Sequence, residues 1–212
     1  MTRPIATMTE NLHQLTVLQL QAAQAGDREA LEQLFTRYRD RVLQVVSILV
    51  GKRRRDLAWD EEDIVQDTLF EAFRGLESFE PRTDGAFLHW LSKLAENNLR
   101  DAIRRQGARK RGEGRVRPLA DLSTSYLASS LFLGREPTPS EVARVHERIE
   151  QIESALIALP DRERRVFVGC VLCGVSFAEI TQELGLGAES SARSLYTRVK
   201  ARLSAFLPDP VC

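Results

Sequence analysis

Scarcity narrows this chain before any motif does. Three of its 212 residues are cysteine, an odd count without the close spacing of a disulfide framework. That excludes the small stapled domains of oxidising compartments and suits a reducing cytoplasm. No apolar run of signal length opens the sequence, and none approaches the ~20 consecutive apolar residues that a membrane-crossing helix needs. No membrane partner is expected. Net charge is missing as well, since 30 basic residues meet 30 acidic ones, so any affinity for nucleic acid must come from local clustering. Alternating runs long enough to force a strand, internal repeats and low-complexity tracts are all absent. So are a glycine-rich phosphate loop, a metal-ligand cluster and a nucleophile elbow. Neither a metal nor a cofactor is expected, and the chain is not expected to be an enzyme.

What is present is helical periodicity, in a chain whose 43% hydrophobic and 28% charged content is enough for one or two small cores. Asp27 after Gly26 suits an N-cap, and Leu31, Leu34, Phe35, Tyr38, Val42, Val45 and Leu49 then mark one face of a long helix. The basic run Lys52 to Arg55 ends it. The spacing predicts a second helix from about Asp60 to Leu76 with Ile64, Val65, Leu69, Ala72, Phe73 and Leu76 inward. A third is predicted from about Ala86 to Arg105, burying Phe87, Trp90, Leu91, Leu94 and Ala95. Residues 1 to 20 give no recognisable clue.

From Gly107 the pattern breaks. Arg109, Lys110, Arg111, Arg115 and Arg117 crowd between glycines, and Pro118, Pro137 and Pro139 follow among small residues, which describes a basic linker. Helicity resumes with Ser140 as N-cap and runs through Ile149, Ile152, Leu156 and Leu159 to Pro160. The C-terminal block then reads as a helix-turn-helix. Ile180 and Leu184 sit four apart, Gly185 stops the first helix, Leu186 plugs the corner, and Ala192, Tyr196, Val199 and Leu203 recur at helical spacing. Ser190, Ser191, Arg193, Ser194, Thr197 and Arg198 are left outward, and short hydroxyls and arginines at a helix N-terminus suit a DNA major groove. The chain is thus expected to be all-α. It divides into an N-terminal segment (1–24), a helical domain (25–106), a flexible basic linker (107–145), a helix-turn-helix domain (146–207) and a tail (208–212).

Two outward stripes stand out in the first domain. On the second helix, Asp63, Gln66, Asp67, Phe70 and Arg74 share one face. Charged stripes are commonly just solvated, yet an aromatic ring amid acids suits a protein interface. On the third helix, His89, Lys93, Asn97, Arg100 and Arg104 form a mainly positive stripe whose asparagine is able to pair with a base edge. Trp90 is read as a buried support. Cys170 and Cys173 form a lone Cys-x-x-Cys within an apolar run, which points to packing rather than to zinc or redox chemistry.

The run Asp63-Ile64-Val65-Gln66-Asp67-Thr68, then Phe79, Phe87-Leu88-His89-Trp90-Leu91, Ala95, Asn97 and Asp101 to Arg105, resembles region two of the bacterial extracytoplasmic-function sigma factors. The block from Leu156 through Leu203 is similar to their region four. The resemblance implies core RNA polymerase and promoter DNA as partners, with the second-helix stripe against the coiled coil of the polymerase's largest subunit. It implies −10 recognition and melting by the third helix and by the preceding loop, here Arg82, Thr83 and Asp84, and −35 recognition by the helix-turn-helix. An anti-sigma protein is a further partner that many members have. Ungapped, the resemblance places Ser191 where the family buries a valine; one extra turn residue places Ala192 there, and that register is preferred. A sigma factor is the first functional reading. The second is a dimeric helix-turn-helix regulator acting alone, and the third a sigma-like domain that only sequesters a partner. The basic linker favours the first.

Overall fold

The computed structural model describes residues 5–51, 57, 59–81, 85–109, 147, 151–152 and 154–204. Among them every regular element is helical. Four long helices make the first domain: α1 (Ile5–Gln24), α2 (Arg28–Val50), α3 (Glu61–Gly75) and α4 (Ala86–Arg109), with a short 3₁₀ turn at Leu76–Ser78. The helix-turn-helix domain holds α5 (Asp161–Phe167), α6 (Phe177–Glu183) and α7 (Glu189–Leu203), with a single π-helical turn, Val168–Leu172, directly after α5.

The helix starts follow from side chains that satisfy the first free amide groups. Asp27 accepts from the backbone of Glu29 and Ala30 at 2.9 and 3.1 Å. Asp60 and Asp63 make a reciprocal capping box at α3, as Ser176 and Glu179 do at α6. Helix α2 is the spine of the first domain. Leu34, Val42, Val46 and Val50 on it are essentially inaccessible, and they meet Ile64 and Val65 of α3 and Leu88 and Leu91 of α4 in one core. Each such side chain contributes about 1.5–3 kcal/mol of burial. Trp90 belongs to an aromatic cluster: it stacks on Phe79 at 4.7 Å, while Phe87 meets Tyr38 edge-on at 4.8 Å. That is the supporting role expected of it.

The sequence expectation needs correction at Phe73, which is 54% exposed rather than inward. The inner face of α3 instead uses Thr68, fully buried with its hydroxyl donating to the Ile64 carbonyl at 2.6 Å. Buried Glu61, at the start of α3, accepts a hydrogen bond from Ser47 of α2. Helix α1 lies in the N-terminal segment, where the sequence offers no recognisable clue, and α4 continues past Arg105 to Arg109. The basic run Lys52 to Arg55, the Ser140 cap and nearly all of the basic linker lie outside the described residues.

Candidate functional site

Helix α3 presents its outward stripe as expected. Asp63, Gln66, Asp67, Phe70 and Arg74 are all exposed, and Phe70 is 64% exposed with the Arg74 guanidinium 6.0 Å from its ring centre. Phe73 adds a second uncovered ring three residues on. Two exposed aromatics three residues apart are neighbours on the helix surface. Asp63 also has a local duty, since its carboxylate accepts from the Asp60 backbone at 3.0 Å. Together with Asp67 it edges a cleft of about 250 Å³ that runs between Trp59 and Arg105.

The α4 stripe divides in two. Its later half is open: Asn97 and Arg100 are exposed and paired with each other at 3.1 Å, and Arg104 lies 3.5 Å from Asp101. Its earlier half is engaged. Lys93 Nζ sits 2.6 Å from one oxygen of Glu183 and His89 Nε2 sits 2.7 Å from the other. Glu183 ends α6, so the first half of the stripe faces the helix-turn-helix domain. Burial acts to raise the Glu183 carboxyl, but His89 and Lys93 outweigh it and hold the group below the usual carboxylate range. Arg82, Thr83 and Asp84, expected in the −10 loop, lie outside the described residues.

In the helix-turn-helix, Ala192 is completely buried while Ser191 is exposed, which selects the register with the extra turn residue. Leu195, Val199 and Leu203 complete the inner face of α7. Ser190, Ser191, Arg193, Ser194, Thr197 and Arg198 are all exposed, as the sequence predicts. Their arrangement is not loose. Arg193 pairs with Glu189 at 2.5 Å and lies 4.8 Å from the centre of the Phe177 ring, which itself meets Tyr196 edge-on at 5.4 Å. Buried Glu163 of α5 faces Arg202 at 3.4 Å and Arg198 at 3.9 Å. One carboxylate thus ties the outer arginines of α7 to the helix beneath. Sequence reasoning missed Glu163, Phe177 and Glu183. A single charge four residues from an arginine is a usable signal only within one helix, and these pairs join different helices.

Cys173 is buried and Cys170 half-buried, both as free thiols. Burial pushes each up to about 11, so little thiolate forms at neutral pH. Among the described residues, no three His, Cys, Asp or Glu side chains cluster to hold a metal ion.

Comparison with known proteins adds relatives to this geometry. The family described as ECF sigma factor matches residues 13–205. An ECF RNA polymerase sigma factor SigM of Mycobacterium tuberculosis is 31% identical over 196 residues, covering 92% of this chain and 86% of that relative. The RNA polymerase sigma factor CnrH of Cupriavidus metallidurans is 30% identical over 194 residues, covering 90% and 93%. Among solved structures, CnrH in complex with the cytosolic domain of CnrY aligns over 90% of this chain and 96% of that one, with 24% identity and a TM-score of 0.48.

Proposed function

Since the chain belongs to the ECF sigma factor family, whose members direct RNA polymerase to begin transcription, we propose that its three exposed faces divide that task. The α3 face grips core polymerase. The α4 face meets the −10 element as it opens, and the exposed face of α7 reads the −35 element. Phe70 and Phe73 carry the first assignment: hydrophobic rings left bare beside Asp67 and Arg74 have the composition of an interface centre, with aromatics to anchor and charges to orient. The later half of α4 supports the second, with a base-pairing amide and two guanidiniums on one side. For the third, Arg193 and Arg198 stand exposed on one face of α7, Arg193 beside Glu189 and the Phe177 ring and Arg198 3.9 Å from Glu163, where two guanidiniums and neighbouring hydroxyls suit phosphates and base edges.

The chain confers specificity on a catalyst rather than supplying catalysis. No helix among the described residues is long and apolar enough to cross a membrane, and the cytoplasm is where a polymerase partner would be met. An anti-sigma protein belongs to the same proposal as a regulator that competes for these faces.

A mobility shift on promoter DNA, with and without core polymerase, tests the division. The chain should retard the DNA only together with polymerase. Retardation by the chain alone, as a dimer, would instead support the stand-alone regulator.

A further inference from the structure

Helix α5 carries two acids that are paired in different ways. Asp161 stays on its own helix, 3.2 Å from Arg164 and 3.5 Å from Arg165. Glu163 is only 3% exposed and reaches across to α7, where Arg202 Nε lies 3.4 Å from its Oε2 and Arg198 Nη1 lies 3.9 Å from its Oε1. Among the described residues these are its ion-pair partners, and Oε2 accepts no hydrogen bond. The attraction is therefore charge to charge rather than a fixed donor–acceptor contact. A buried carboxylate without a cation is costly, so Glu163 draws on both guanidiniums. Those guanidiniums are not buried: the Arg198 side chain is 60% exposed and that of Arg202 53%. They stand between an anion beneath α7 and any anion that approaches from outside.

We propose that Glu163 is a specificity-determining residue for −35 recognition, whose buried charge discounts the attraction of Arg198 and Arg202 for phosphate so that α7 holds DNA firmly only where base contacts seat it. Phosphates are the same on every sequence, and arginines that reach them freely add affinity without information. A negative charge enclosed by protein is screened by salt less than an exposed one, and it subtracts from the positive potential of both side chains. On a matched site the base contacts fix α7 in the groove and bring phosphates close enough to compete with Glu163. On an unmatched site nothing fixes α7, and the pull toward α5 prevails. The inference rests on the −35 reading of α7.

The test titrates holoenzyme, assembled from the full chain and core polymerase, with two labelled duplexes that end before the −10 element. One carries the −35 element of a promoter found by run-off transcription, and the other carries that element scrambled. Glu163→Gln keeps the shape of the side chain without its charge. It should bind the scrambled duplex on the order of threefold to tenfold more tightly than the parent, the range for two ion pairs with half-exposed partners, and should gain less on the matched one. Adding Arg198→Gln and Arg202→Gln should abolish the gain, because the carboxylate acts through them. No gain, an equal gain on both duplexes, or a gain that survives without the arginines would overturn the inference. So would an equal loss on both by a folded variant, the result expected if Glu163 only complements the dipole at the start of α5. Should Glu163→Gln fail to fold, the exposed arginines carry the test in the parent. Arg198→Gln and Arg202→Gln should each lower the salt slope on the scrambled duplex by clearly less than the ~0.9 of an unopposed phosphate contact. A drop of the full ~0.9 would overturn the inference alone, whereas no change in slope, affinity or discrimination would overturn it together with the −35 reading of these arginines.

Discussion

Phe70 and Asp67 are exposed positions to which the proposal assigns contact with core polymerase. Neither is packed inside, so replacing either leaves the core intact, and any loss has to be a loss of partner. Phe70→Ala and Asp67→Arg should each weaken binding to core polymerase by about 1–3 kcal/mol, the range for interface anchors, with an unchanged circular dichroism spectrum. Unchanged affinity in a titration would return the α3 stripe to a solvated surface. The same helix shows where residue-level reading fails. The spacing places Phe73 inward, yet it is exposed, and the buried face of α3 includes Thr68, whose hydroxyl donates to the Ile64 carbonyl. A buried threonine satisfied within its own helix costs little, and the sequence carries no mark of it.

At the scale of elements, caps were legible and unpatterned helices were not. Asp27, Asp60 and Ser176 sit where their side chains close a helix start, and a few residues suffice to recognise that chemistry. Helix α1 escaped because its inward face is mixed: Thr16 and Gln19, bonded to Tyr38 and Gln33, are buried alongside Leu20, while Leu15 and Leu18 face out. Helix α7 gives a sharper test of register. Ala192→Glu should destabilise the helix-turn-helix domain by about 3–5 kcal/mol, since a buried carboxylate there has no partner. Arg193→Ala should leave thermal melts unchanged. It should cost about 1–3 kcal/mol of −35 discrimination if the guanidinium reads a base, or weaken all sequences alike with a shallower salt slope if it holds phosphate. On α4, Asn97→Ala and Arg104→Ala should permit closed-complex formation and impair opening, measured as reduced permanganate reactivity of unpaired thymines. Normal opening in both would remove the later half of α4 from the melting step.

For the molecule as a whole, the sequence was enough for two helical domains and for a family resemblance that the comparison with relatives bears out. How the domains meet was not legible, because Lys93 and Glu183 stand far apart in sequence and neither belongs to a pattern that would point to the other. Surface charges become a contact only once two separately folded units are set side by side. Run-off transcription tests the central claim most directly, with core polymerase alone, then with this chain added, on DNA from the chain's own genome. Addition should convert weak, scattered initiation into defined transcripts from a small set of promoters. Initiation that stays scattered, with the chain folded and present in excess, would contradict the account.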